Sequence, residues 1–190
     1  MVERRDLPLF AWGETLRTAR RGRTILIRRG LMIALGCACV GATIAAPPLP
    51  RLVWNASASA PLGLYAVAPE HAVERGDMFI ARVPQALRDL AARRHYIPAN
   101  GPLVKRVAAV AGDVVCAAGP EVLVDDRAVA TRLTHDRSGR PLPWWRGCQT
   151  LRGGTVLLLM TTRPDSFDGR YFGPTGRQDM IGKATSLWMW

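Results

Sequence analysis

Residues 103–113 read Leu103-Val104-Lys105-Arg106-Val107-Ala108-Ala109-Val110-Ala111-Gly112-Asp113, a β-strand closed by a Gly-Asp turn. Side chains alternate along a strand, so Leu103, Lys105, Val107 and Ala109 share one face and Arg106 points to the other. A lysine therefore stands where the pattern asks for an apolar residue. Two readings of it stand side by side. At a strand edge the stem can extend and keep the ammonium in water. Held among Leu and Val, the amine loses hydration of its charged form, its pKa falls, and the free amine becomes a general base.

Outward from this strand the chain reads as mainly β. Upstream, Asn55-Ala56-Ser57-Ala58-Ser59-Ala60-Pro61 is a shaped loop of small residues that feeds a strand over Leu64–Val67. Glu74–Asp77 is a turn, Met78–Ala81 a strand, and Pro84–Arg94 a short helix with Leu87, Leu90 and Ala91 on one face. His95–Pro102 is a loop. Downstream, a short strand runs through Cys116, and Glu121–Val129 forms a hairpin with Asp125-Asp126 at its tip. Residues 131–153 look irregular, Thr155–Met160 is an apolar run of strand length, and Thr161–Met180 is a long loop rich in glycine. Loops that long are usually functional or disordered. Ile181–Trp190 closes the chain as an apolar segment. The pairs Trp144-Trp145 and Trp188…Trp190 suit either core or a membrane interface, where tryptophan is favoured.

The 190 residues allow one ordinary domain and an appendage, and the net charge is +11. Such a balance suggests nucleic acid until the charge is located. Residues 1–30 hold eight arginines (Arg4, Arg5, Arg17, Arg20, Arg21, Arg23, Arg28 and Arg29) against Glu3, Asp6 and Glu14. They precede Leu31–Pro50, which carries no charge. Pro47-Pro48 leaves about sixteen residues of clean helix, slightly short for a bilayer. Ile25–Ile27 extend it if Arg28 and Arg29 snorkel. The division is a basic cytoplasmic N-terminus over 1–30, a transmembrane signal-anchor segment over 31–50 and an exported domain over 51–190. A removed signal peptide is the competing reading of the second. The positive-inside rule keeps the arginines in the cytoplasm under both, and nucleic acid is not the expected partner.

Cys37 and Cys39 fall inside the apolar segment and are small membrane residues. Cys116 and Cys148 fall in the exported part, where one disulfide pairing is available. His71, His95 and His135 show no ligand spacing, so no metal and no cofactor are expected.

Three pieces bear on one another: Ser59 in the small-residue loop, Lys105 on its strand, and Ser166 with Asp168 in the glycine-rich loop. A serine hydroxyl is a poor nucleophile until a base takes its proton, and a desolvated lysine can be that base without histidine. Here the chain resembles the TraF-type conjugative-transfer signal peptidases, relatives of bacterial type I signal peptidases. Ser59-Ala60-Pro61-Leu62-Gly63-Leu64-Tyr65 is similar to that family's nucleophile box. Lys105-Arg106-Val107 leading to Gly112-Asp113 is similar to its lysine box, and Ser166-Phe167-Asp168-Gly169-Arg170-Tyr171-Phe172-Gly173-Pro174 to its last box. The resemblance covers most of residues 31–190.

The resemblance implies roles position by position. Ser59 matches the acylating serine, Lys105 the general base, and Ser166 the serine that orients the amine. Asp168 and Arg170 match an ion pair that shapes the site. Ser57 matches a hydroxyl that helps the backbone amide of Ser59 form an oxyanion hole. Gly169 is a departure, since many relatives carry serine there, and it puts the fine positioning of the lysine in question. The fold implied is a signal-peptidase-like, β-rich catalytic domain with one short helix, behind a transmembrane helix.

The expected function is a membrane-bound serine endopeptidase on the outer, periplasmic side of a bacterial inner membrane. Its substrate would be an exported precursor with small residues before the cut, because a strand-like substrate must fit shallow pockets. The resemblance suggests a conjugative pilin precursor, with the acyl-enzyme captured by water or, to give a cyclic product, by the substrate's own amino terminus. A general type I signal peptidase and an inactive membrane-anchored assembly factor of a secretion or conjugation system are the alternatives. The orientation is testable directly. A reporter active only outside the cytoplasm should work when fused after Trp190 and fail when fused near Arg23; the reverse would overturn the topology.

Overall fold

The computed structural model describes residues 8–46, 50–69 and 72–190, with the side chains of residues 8–19 and 21 left out of the description. Arg4, Arg5, the Pro47-Pro48 stop and His71 therefore lie outside the described residues. The chain divides into two compact units, Met1–Pro48 and Leu49–Trp190.

The first unit is one helix, α1 (Pro8–Ala45), of 38 residues. It is far longer than the uncharged segment that begins at Leu31, because the arginines, leucines and alanines before that segment are good helix formers. Within it, Gly22–Ala45 is long and apolar enough to cross a membrane, with a mean hydropathy of 1.7 over its best window. At 1.5 Å per residue that stretch is about 36 Å long, against a hydrocarbon core of about 30 Å. That stretch takes in Ile25–Ile27 with Arg23, Arg28 and Arg29, so the helix itself continues past the short uncharged segment.

The second unit is mainly β. A six-stranded antiparallel sheet has the order β1-β2-β10-β3-β4-β9, formed by β1 (Leu52–Asn55), β2 (Gly63–Ala68), β3 (Met78–Ala81), β4 (Leu103–Ala109), β9 (Leu157–Leu159) and β10 (Met180–Met189). One face packs Tyr65, Val67, Ile80, Val104 and Ile181 into a core. On the opposite face, Phe79, Leu103, Val107 and Leu158 pack with Ala91 of α2 (Gln85–Arg93). Leu87 is partly buried beside them. Residues 156–160 are buried throughout, which is why they read as an unbroken apolar run.

A second sheet has the order β7-β6-β5-β8, from β5 (Val114–Ala118), β6 (Glu121–Val124), β7 (Arg127–Thr131) and β8 (Gly147–Thr150). The β6–β7 turn places Asp125 and Asp126 at φ 48° and 61°, the left-handed pair a two-residue hairpin requires. Cys116 and Cys148 face each other across β5 and β8 and are disulfide-bonded, with a Cα–Cα distance of 4.0 Å. Val115, Val122 and Leu151 of this part meet Ala109, Leu157 and Leu159 of the large sheet in a shared core.

Some elements differ from the expected ones. β8 lies in a stretch read as irregular, and β1 precedes the small-residue loop and ends on its first residue, Asn55. The loop Thr161–Met180 is not structureless: it contains the one-turn helix α3 (Gly169–Phe172), a 3₁₀ turn (Arg177–Asp179) and a bridge from Thr175 to Val156. The domain thus has two α-helices rather than one. The closing segment is a full strand, β10, paired with both β2 and β3.

Candidate active site

The loop between β1 and β2 is fixed by side chains that take up its carbonyls. Asn55, buried at the end of β1, donates from Nδ2 to the carbonyls of Ser57, Ala60 and Pro61 at 2.9–3.1 Å, and its Oδ1 accepts from the Ser57 N–H. The Tyr65 hydroxyl adds a second bond to the Pro61 carbonyl, and Arg163 Nε donates to the Ala58 carbonyl at 2.8 Å. The chain turns here, with the Ala60 N–H bonded to the Ser57 carbonyl. Ser57 and Ser59 are therefore not related as residues two apart on an extended strand, whose side chains project to one side. Gly63, where the loop enters β2, has no alternative: a Cβ there would lie 2.0 Å from the Trp188 carbonyl oxygen, and its φ is +149°.

Lys105 comes from the middle of β4 and is 3% exposed. Its Nζ lies 2.6 Å from Ser59 Oγ and 2.9 Å from Ser166 Oγ. Burial lowers its pKa to about 8 from an ordinary 10.5. Asp168 pulls the other way, Arg170 adds to the lowering, and Asp165 raises it slightly. Ser57 Oγ is 2.9 Å from Ser59 Oγ and accepts a long bond, 3.4 Å, from the Ser59 N–H. Ser59 is thus the serine in contact with the amine, and Ser57 stands one hydrogen bond further out.

Beneath this group lies the Asp168–Arg170 pair, with side chains 0% and 2% exposed. Asp168 Oδ1 accepts from the Arg170 backbone N–H and Nε, and Oδ2 from Arg170 Nη2 and the Met160 N–H. Arg170 also donates to the carbonyls of Met160, Arg163 and Pro164. One buried guanidinium therefore gathers the turn that presents Ser166, whose own N–H bonds to the Arg163 carbonyl. A Cβ on Gly169 would lie 2.8 Å from both Leu157 Cδ1 and the Leu158 carbonyl oxygen. Glycine at that position follows from the close approach of α3 to β9, so a serine could enter only if the two moved apart.

The structure brings Ser57, Ser59, Lys105 and Ser166 together, sets Asp168 and Arg170 behind them, and leaves the Cys116–Cys148 bond in the second sheet. Three contributors escape a reading of sequence alone. Asn55 offers an Asx-turn signal before a small-residue loop, which could have marked it. Arg163 offers none. Trp145 bonds through Nε1 to the Gly169 carbonyl, while Trp188 and Trp190 are exposed with Trp54. Ser59 borders two clefts. The larger, about 740 Å³, is lined by Tyr96, Leu103, Leu133 and Phe167 beside Lys105. The smaller, about 400 Å³, is lined by Leu62, Met160, Thr162 and Arg163.

Residues 24–190 match the family model described as signal peptidase, peptidase S26. The chain is 34% identical over 162 residues to a plasmid transfer protein TraF of Escherichia coli, covering 79% of this chain and 84% of that protein. It is 32% identical over 181 residues to a probable conjugal transfer protein TraF of Sinorhizobium fredii (strain NBRC 101917 / NGR234), covering 84% and 91%. A crystal structure of a signal peptidase I from Enterococcus faecalis V583 aligns with a TM-score of 0.36 and 17% identity, over 60% of this chain and 98% of that one.

The buried ion pair yields a stability prediction. Asp168→Asn strands the Arg170 charge in the interior, so the domain should lose about 3–5 kcal/mol, the usual cost of breaking a buried pair on one side. Denaturant unfolding of the variant measures this, and a loss below about 1 kcal/mol would contradict it.

Proposed function

The chain belongs to the peptidase S26 signal peptidase family, and from that membership we propose a membrane-anchored serine endopeptidase in which Ser59 attacks and Lys105 takes its proton. The coarse role, that of a type I signal-peptidase-like protein, follows from the family. The assignment of the dyad rests on one observation: a buried amine 2.6 Å from a serine hydroxyl, with a pKa brought to about 8.

The neutral amine of Lys105 accepts the Ser59 proton as Oγ bonds to the scissile carbonyl carbon. The oxyanion is met by the Ser59 N–H and the Ser57 hydroxyl, which turn from each other to the substrate. Collapse breaks the C–N bond, and the ammonium of Lys105 returns its proton to the leaving amine. Ser166 holds the amine in line throughout. The acyl-enzyme is then released to water or to an amine, which would give a cyclic product if that amine is the substrate's own amino terminus. An exported pilin precursor of a conjugation system is the substrate the relatives' plasmid-transfer names favour. α1 anchors the protein in the inner membrane with the catalytic unit on the periplasmic side, a reading supported by the arginines that precede and enter the apolar span.

The base must be uncharged to act, so activity should climb with pH through about 8 and level off above it, following the neutral fraction of Lys105. Lys105→Arg keeps the charge and stays protonated, and it should be inactive at every pH. A pH profile flat between 6 and 10 in the wild type, or an active arginine variant, would remove Lys105 from the role.

The two serines separate by what they lose. Ser59→Ala should abolish both precursor processing and labelling by an acylating serine probe. Ser57→Ala should keep the labelling and lower the rate by about 100- to 1000-fold, the worth of one oxyanion donor. Labelling that survives in Ser59→Ala and vanishes in Ser57→Ala would invert the assignment.

A further inference from the structure

The arginines around Ser59 are not alike. Arg137 is paired with Asp165, Arg140 with Asp136, and Arg170 with Asp168. Arg163 has no ion-pair partner among the described residues, although it borders both clefts that meet at Ser59. It is the one charged residue in the lining of the smaller cleft, beside Ala60, Leu62, Met160 and Thr162.

Arg163 is exposed, yet it is held at both ends. Its backbone carbonyl accepts from buried Arg170 at 2.8 Å and from the Ser166 N–H at 3.1 Å. Its side chain is tied at Nε to the carbonyl of Ala58, the residue before Ser59. Arginine has five N–H donors on a rigid plane, so a bond at Nε leaves the terminal nitrogens free to present a fork. A guanidinium immobilised in this way, beside the scissile position and without a counter-charge, is organised for a carboxylate.

We propose that Arg163 is a specificity-determining residue that reads a carboxylate on the substrate, an Asp or Glu side chain within about two residues of the scissile bond on the side that enters the smaller cleft. The inference rests on the peptidase reading above. A peptide crossing Ser59 must lie in both clefts, and the smaller one offers a carboxylate only this partner. The interaction is solvent-exposed, so its size is that of a single surface ion pair. Glu should be preferred over Gln at one position by about fivefold in kcat/KM, and the preference should shrink as salt is raised.

The test uses the full-length protein in detergent and a peptide library with Ala-Ala at its centre and two varied positions on each side. Cut products are read by mass spectrometry for the wild type, Arg163→Gln and Arg163→Glu. The wild type should enrich Asp and Glu at one position on one side of the cut. Arg163→Gln should lose that enrichment, and Arg163→Glu should replace it with Lys and Arg at the same position. Because the readout is a ratio among peptides cut by the same enzyme, loss of the clamp on Ala58 or of folded protein lowers all cutting without reversing a preference. Cutting with no acidic enrichment, or with the same enrichment in Arg163→Glu, overturns the Arg163 assignment and leaves the peptidase reading intact. If the wild type cuts no peptide and Ser59 also takes no acylating label, the peptidase reading falls and this inference falls with it. If Ser59 is labelled and no peptide is cut, a carboxylate within two residues of the bond does not suffice for recognition, and the proposal as stated is overturned.

Discussion

The site depends on withdrawing one primary amine from water. An ammonium in an apolar strand face loses hydration that its neighbours only partly restore, and here the loss dominates, bringing Lys105 to a pKa of about 8. The surrounding groups are arranged so as not to undo it. Asp168 alone would favour the charged lysine, but Arg170 is bonded to both of its carboxylate oxygens and acts in the opposite sense. The two hydroxyls that touch Nζ, those of Ser59 and Ser166, are neutral and can bond to either form of the amine. A carboxylate in place of Ser166 would hold the lysine protonated and end its use as a base.

Holding the amine this way needs two loops to stay in place, and in each one polar side chain collects three carbonyls. Asn55 does this for the loop carrying Ser57 and Ser59, and Arg170 for the turn carrying Ser166. The second sheet supports the latter from outside. Trp145 bonds to the Gly169 carbonyl, the Trp145 carbonyl accepts from buried Arg132, and the disulfide fixes the β8 strand that follows Trp145. β8 has no buried residue of its own, so the covalent link to β5 does for that strand what core packing does for the others.

What was legible in the sequence was whatever depends on period or on turn chemistry. The face of β4, the strand β3, the helix at Gln85–Arg93 and the Asp125-Asp126 hairpin are all dictated by residues within a few positions of one another. β8 was not legible because every residue in it is exposed, leaving no alternation to read. β1 is four residues long and alternates, but it runs directly into the small-residue loop and its pattern is lost there. α3 is a single turn capped by the Asp168 carboxylate, which accepts from the Arg170 N–H, and four residues carry no helical period. The three boxes located Ser59, Lys105 and Ser166 individually. The distances among them depend on Asn55 and Arg170 finding carbonyls that are close only after the sheet has formed, and no local pattern encodes that.

The basic character of the chain can now be divided by location. Part of the excess precedes or enters the apolar span, where the proposed anchoring would use it as a topology signal. Around the cleft, the chain would harm itself by adding free carboxylates, since each would recharge Lys105. Many free cations near Ser59 would repel one another. Pairing Arg137, Arg140 and Arg170 with Asp165, Asp136 and Asp168 limits both outcomes, and at the amine Asp168 and Asp165 act against Arg170 while burial dominates. An unpaired arginine in such a neutralised setting stands out from noise, because every other strong charge beside the nucleophile has been cancelled or desolvated. That contrast gives Arg163 its significance: the surface is basic, but among the described residues lining the smaller cleft at Ser59 it is the one cation, and its charge has no ion-pair partner.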